Sequence, residues 1–231
     1  MMKTIGLIGG MSWESTKIYY QLLNQLTRER LGGLHSAKIC MLSVDFAELA
    51  DLMRQNQLDK ISEILVDSAL SLQKAGADCV LVCSNTMHRH FENIQNEVAL
   101  PCLHIVDACA APMARDHISK AGLLGTGFTM RGDFIKERFS QKHHIETITP
   151  DEKAMNAIDR IIFEELCVGK VKSKSRAICI QAIDDLQKKG AQAIILGCTE
   201  LELLITSKQT RLPLYETCAL HVNYALDWAL S

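Results

Sequence analysis

Leu72-Gln73-Lys74-Ala75-Gly76-Ala77-Asp78-Cys79-Val80-Leu81-Val82-Cys83-Ser84-Asn85-Thr86 has a near copy in Leu186-Gln187-Lys188-Lys189-Gly190-Ala191-Gln192-Ala193-Ile194-Ile195-Leu196-Gly197-Cys198-Thr199-Glu200. Each copy reads as the end of an amphipathic helix, a glycine stop, an apolar strand and then a cysteine. Upstream, Gly6-Leu7-Ile8-Gly9-Gly10 is echoed by Gly122-Leu123-Leu124-Gly125-Thr126. Both pairs are offset by about 115 residues, half of the 231-residue chain. The chain therefore reads as a duplication, with two halves of comparable build and one strand-end thiol in each.

Working outward, short apolar runs alternate with helix-length amphipathic stretches. Strands are expected at 4–8, 38–44, 79–82, 102–105, 120–124, 145–148, 193–196 and 213–215. Most are continuously apolar, as in parallel strands covered on both faces. Helices are expected at 14–31, 58–75, 87–97, 151–168, 173–189 and 217–230. Strands alternating with helices of this length give an α/β fold with mainly parallel sheets, and right-handed crossovers leave a doubly wound arrangement. The expected organisation is two pseudosymmetric domains with an active-site cleft between them. The first spans 1–103 plus 216–231, with the last helix returning to it, and the second spans 104–215.

Composition excludes several function classes. The formal net charge is -2, which offers no basic face for a nucleic acid. No apolar run approaches the ~20 residues of a membrane span. The apolar N-terminal segment is too short for a secretion signal and lacks a small-residue cleavage site, so it reads as a first strand in a cytoplasmic protein. Nine cysteines, an odd number, without a Cys-x-x-Cys pair or zinc-finger spacing, argue against a disulfide framework or a metal site. Most of these thiols are expected to be packing residues.

Cys83 and Cys198 stand apart. Each follows the carboxyl end of an apolar strand, where open α/β sheets bind ligands. Each is expected to open a helix, whose positive end would lower a thiol pKa toward neutrality. Asn85 and Thr86, or Thr199 and Glu200, add short polar groups next to the thiol. Taken singly, these residues also suit plain helix capping. Recurrence at equivalent places makes the pair a candidate for acid–base chemistry, because two opposed weak acids are what inversion of a carbon centre requires. The turns Gly9-Gly10-Met11-Ser12-Trp13 and Gly125-Thr126-Gly127-Phe128-Thr129 permit close approach of an anion, but neither completes a dinucleotide or Walker pattern. A small anionic substrate fits better than a nucleotide.

Gly9-Gly10-Met11-Ser12-Trp13-Glu14-Ser15-Thr16, Cys83-Ser84-Asn85-Thr86-Met87-His88 and Gly197-Cys198-Thr199-Glu200 together resemble the aspartate/glutamate racemase family, in particular its bacterial broad-specificity amino-acid racemases. The resemblance runs from about Lys3 to the last helix. It implies a racemase acting on a small-molecule amino-acid substrate without pyridoxal phosphate, other cofactor or metal, usually as a homodimer. Cys83 and Cys198 would be the two acid/base residues, one on each face of the α-carbon. Asn85, Thr86, Thr126, Thr129, Thr199 and Glu200 would contact the substrate, and Met11 would line its pocket. His88 lies near Cys83 in sequence.

One departure matters. The resemblance to aspartate racemases would place an Arg after the second strand and a Lys on a helix of the second half. Here the segments read Ser43-Val44-Asp45-Phe46-Ala47-Glu48 and Phe163-Glu164-Glu165-Leu166-Cys167-Val168-Gly169. Strict preference for an acidic side chain is therefore not carried over. Hydantoin racemases, maleate isomerases and arylmalonate decarboxylases share the resemblance. The decarboxylases need one thiol only, so a retained pair favours racemisation. A small-acid binding module or a redox thiol pair are readings of other classes.

Overall fold

The computed structural model describes residues 2–231 and divides the chain into two compact units. One runs up to Ile105 and resumes with His221–Ser231, and the other is Val106–Leu220.

In the first unit the order is β1 (Ile5–Gly9), α1 (Trp13–Leu31), β2 (Ile39–Ser43), α2 (Phe46–Arg54), α3 (Leu58–Lys74), β3 (Cys79–Val82), a 3-10 segment (Thr86–His90) and α4 (Phe91–Glu97). The sheet is parallel in the order β2-β1-β3. Beyond β3, Cys102 pairs with Val80 as an isolated parallel bridge. A strand over 102–105 is thus reduced to that bridge. Val80 N–H donates to Pro101 O and Leu103 N–H to Val80 O, after which the backbone turns into α5 (Ile105–Arg115).

The second unit continues with β4 (Lys120–Gly125), α6 (Gly127–Arg131), α7 (Asp133–His143), β5 (Glu146–Ile148), α8 (Glu152–Glu164), α9 (Ser173–Lys188), β6 (Ala193–Gly197) and β7 (Leu214–Glu216). Then α10 (Thr217–Leu230) carries the chain back to the first unit. The parallel order β5-β4-β6-β7 repeats the first sheet, with β7 in the place of the Cys102 bridge. Central strands β1, β3 and β6 are buried throughout, whereas β2 and β5 are half-covered, as their edge positions dictate.

The duplicated helix ends are built alike. Ala77 N–H donates to Leu72 O and Gly76 N–H to Gln73 O, while Ala191 N–H donates to Leu186 O and Gly190 N–H to Gln187 O. These are paired Schellman endings, each needing the left-handed residue that Gly76 (φ 84°) or Gly190 (φ 92°) supplies. The preceding helices bury one stripe each. Ile61, Leu65, Ala69 and Leu72 of α3 pack with Ile8, Val80 and Val82. Cys179, Ala182, Ile183 and Leu186 of α9 pack with Leu124, Ile194 and Leu196.

Three helical segments depart from expectation. The helix expected over 151–168 stops at Glu164, and a 3-10 turn, Leu166–Val168, follows. There the Glu165 carboxylate accepts from Ser175 Oγ and Lys172 Nζ. The segments after Cys83 and Cys198 begin not as α-helices but as 3-10 turns of five residues, Thr86–His90 and Thr199–Leu203.

An ionic tie joins α5 to α7 in the second unit. Arg138 donates through Nε (2.8 Å) and Nη2 (2.6 Å) to Asp107, and His143 Nε2 lies 2.8 Å from Asp107 Oδ1. Burial alone would raise the Asp107 pKa, but the hydrogen bonds from Arg138 and His143 outweigh it and leave the pKa lowered. A depressed carboxyl pKa stabilises the fold fully above the unfolded value of about 3.9 and loses that contribution as pH falls through the folded value. Asp107→Asn is expected to cost about 2 kcal/mol at pH 7. Chemical denaturation at pH 7 and at pH 3 checks this: the gap between wild type and variant narrows at the lower pH.

Candidate active site

In a parallel sheet of order 2-1-3, the crevice outside the carboxyl ends lies between the loops of the first and third strands, where the winding direction reverses. In the first unit those loops carry Gly9-Gly10-Met11 after β1 and Cys83-Ser84-Asn85 after β3. In the second they carry Gly125-Thr126-Gly127 after β4 and Cys198-Thr199-Glu200 after β6. Each unit thus holds one thiol and one glycine turn at its own switch point.

The turn after β1 is pinned from inside. Gly10 N–H donates to Thr16 Oγ1 at 2.9 Å, and Thr16 Oγ1 donates to Ser12 O at 3.0 Å. Gly10 sits at φ 92° against the chain at Val44, a conformation and a closeness available to glycine. Met11 is buried in the core of the first unit. The turn after β4 is held differently. Thr126 caps α6 by accepting from Thr129 N–H, and its Oγ1 lies 3.1 Å from Thr129 Oγ1. Thr129 is fully buried, so it stands behind Thr126. Gly127 N–H donates to Asp159.

Cys83 is fully buried, with its N–H on Ile8 O at 2.9 Å. Asn85 and Thr86 lie at the start of the 3-10 segment that follows it. Cys198 is partly buried and opens the equivalent segment. Its Sγ donates to Glu200 Oε2 at 2.9 Å, and Thr199 Oγ1 donates to the same oxygen at 2.8 Å. Cys198, Thr199 and Glu200 therefore form one hydrogen-bonded group. Glu200, expected as a substrate contact, binds the thiol itself.

The expected lowering of the thiol pKa values is overturned. Burial pushes the Cys83 thiol well above its ordinary range. At Cys198 burial is again the largest cause of a raised pKa, and the charge and hydrogen bond of Glu200 add to it. A five-residue 3-10 turn supplies too little aligned dipole to offset the loss of water. Glu200→Gln removes two of the upward influences on Cys198, the carboxylate charge and its hydrogen bond, so its thiol pKa is expected to fall. The pH dependence of iodoacetamide labelling at Cys198, read by mass spectrometry, checks this; an unchanged midpoint contradicts it.

Cys167 was not singled out by any spacing in the sequence. It is exposed on the turn after α8, with Sγ 4.0 Å from Glu200 Oε1, and burial followed by the Glu200 charge raises its pKa to about 11. The loop after β2 is explained by helix capping: Asp45 Oδ1 accepts from Ala47 N–H at the start of α2. Arg54, at the far end of α2, is exposed and paired with Asp51. Among the described residues, no group of three or more His, Cys, Asp or Glu side chains is arranged to hold a metal ion, and no helix is long and apolar enough to cross a membrane.

Comparison with known proteins follows the same architecture. Residues 8–225 match the family model of the Asp/Glu/hydantoin racemases. The chain is 45% identical to a candidate Asp/Glu racemase of Yersinia pestis, with a TM-score of 0.95 and all of both chains covered. It is 31% identical to an aspartate racemase homologue of Pyrococcus horikoshii OT3, with a TM-score of 0.88 and again full coverage of both. It is also similar to the broad specificity amino-acid racemase RacX of Bacillus subtilis (strain 168), at 24% identity over 93% of each chain. With two switch-point thiols on duplicated parallel sheets and a match over nearly its whole length, the chain belongs to the Asp/Glu/hydantoin racemase family.

Proposed function

We propose that this protein is an amino-acid racemase that needs no pyridoxal phosphate or metal, with Cys83 and Cys198 as its two acid/base groups. The observation that carries the reading is the equivalence of the two thiols: each directly follows the strand, β3 or β6, that pairs with the first strand of its unit, beside the glycine turn after that first strand, in two units of one strand order. Family membership supports an isomerase acting on an amino acid.

In the proposed reaction one cysteine enters as thiolate and the other as thiol. The thiolate takes the α-proton, the electron pair of the broken C–H bond passes into the α-carboxylate as enediolate character, and the opposite thiol returns a proton to the other face. The two sulfurs leave with their protonation states exchanged. The reaction requires both to address the same α-carbon. Developing charge on the carboxylate needs fixed donors, for which Asn85, Thr86, Thr126 and Thr199 are the candidates. Thr129 acts through Thr126, and Met11 closes the floor of the first turn. Glu200 holds the proton of Cys198 in the resting state. A raised thiol pKa makes the thiolate scarce but strongly basic, which suits removal of a weakly acidic proton.

The segments 43–48 and 163–169, where the resemblance would place an Arg and a Lys, contain no basic residue, and the nearby Arg54 is paired with Asp51. The proposed substrate range extends beyond acidic side chains. Incubation of the pure, pyridoxal-free protein with single enantiomers of acidic, neutral and basic amino acids, and with 5-substituted hydantoins, tests the reading by chiral chromatography. Appearance of the antipode of at least one amino acid is the expected result; no inversion across the panel, or inversion of hydantoins alone, contradicts it. A homodimer is the proposed assembly, which light scattering tests as twice the chain mass.

A further inference from the structure

Three histidines, His88, His104 and His221, are packed together in the first unit at 3%, 3% and 0% exposure. The His88 ring lies 4.6 Å from that of His104 and 5.6 Å from that of His221, edge to face in both cases. Phe91 stacks on His88 and meets His104 edge-on. Hydrogen bonds fix the tautomer of His88. Its Nδ1 lies 2.7 Å from Ser84 O, a carbonyl, and therefore carries the proton. Its Nε2 accepts from Ile105 N–H at 3.2 Å. His221 Nε2 donates to Leu103 O at 2.8 Å, and its Nδ1 pairs with the buried Tyr19 hydroxyl at 2.9 Å.

The partners of this cluster occupy particular places in the chain. Ser84 is the residue after Cys83. Ile105 is the last residue before the chain passes into the second unit, and His221 is the first after it returns. One imidazole thus bonds the turn bearing a proposed acid/base thiol to the outgoing chain, while its ring packs edge to face with that of His221 on the returning one. The duplicate has no such group: counting from Cys198, the position of His88 falls on Leu203, which is exposed. There Glu200 holds the thiol directly.

We infer that His88 is a positioning residue for Cys83, tying the turn that carries this thiol to the backbone at Ile105, where the chain leaves the first unit, and packing against the ring of His221, where it returns. The inference rests on the racemase reading for its catalytic consequence, but not for its structural one. Its two hydrogen bonds are the means, so a ring of similar size without them does not substitute.

Native-state alkylation read at each cysteine by mass spectrometry tests this without reference to activity. His88→Phe keeps a ring in the cluster and deletes both bonds; His88→Gln retains an amide donor and acceptor. Losing two net hydrogen bonds predicts that Cys83 in His88→Phe is labelled about tenfold faster or more than in wild type. The His88→Gln variant returns toward the wild-type rate. Cys79 and Cys109, buried at 0% exposure elsewhere in the chain, keep their protection. Unchanged protection of Cys83, or equal loosening of Cys79 and Cys109, overturns the inference. Should His88→Phe not accumulate, His88→Asn, which reaches Ser84 O but not Ile105, is held to the same pattern. Once a substrate is identified, His88→Phe is expected to lower kcat with KM little changed. A chain inactive on every amino acid would sink the racemase reading while leaving the labelling result to stand or fall by itself.

Discussion

Cys83→Ser and Cys198→Ser are each expected to lower kcat for racemisation about 10²–10⁴-fold, the usual worth of a positioned acid or base. Serine keeps the size and a hydrogen-bonding group but is too weak an acid to be ionised by the same surroundings. Both variants should fold, because neither thiol is bridged and the replacement is nearly isosteric. Cys109→Ser, at a fully buried packing thiol of the second unit, is the control: it costs stability and leaves kcat within about twofold. Chiral chromatography in both directions checks the outcome. If either cysteine variant racemises at the wild-type rate, the two-thiol assignment is wrong.

The second large effect concerns the turn after β1. An added Cβ at Gly10 would lie 2.1 Å from Val44 O and 2.7 Å from Val44 N, both backbone atoms. Backbone cannot swing aside as a side-chain tip can, and Val44 N–H is already bonded to Gly9 O, closing the β1–β2 edge. Gly10→Ala is therefore expected to cost roughly 4 kcal/mol or more, combining overpacking with left-handed strain, a large share of the ~5–15 kcal/mol typical of a domain. Gly76→Ala separates the two contributions. Gly76 is also left-handed, at φ 84°, but has nothing within 4 Å of the added Cβ, so about 1 kcal/mol is expected. Denaturant melts of the two variants give the comparison. Equal losses would mean that the turn is not built against Val44.

These residues also show why some features were legible in the sequence. The glycine at each helix end was readable because a left-handed stop has a single cheap occupant, and Gly76 and Gly190 occur in the same place in both copies. The central strands were readable because a run such as Cys79–Val82 can be apolar throughout only when both faces are covered. Positions of Cys83 and Cys198 followed from those strands. The edge of the first sheet was less legible: His104 and Ile105 look like strand residues, but after Leu103 the Ile105 N–H goes to His88 and begins α5. Pro112 inside α5 and the short span of α2 hid two more helices. The pKa direction of the thiols was misread because burial is a tertiary quantity, and it outweighs the pull of a short 3-10 turn. Spacing carried no sign of the bonds from Cys198 and Cys167 to Glu200, or of the cluster of His88, His104 and His221, since these groups meet through the fold.

Inversion by two separate thiols leaves an isotopic signature. Each single enantiomer of an accepted amino acid is converted to a few per cent in D₂O, and deuterium at the α-carbon is measured in both recovered substrate and product. A separate acid on the far face delivers solvent-derived deuterium to the antipode only, so the product is labelled and the residual substrate is not, starting from either enantiomer. Comparable labelling of substrate and product from both enantiomers would mean one shared base, and would contradict the account.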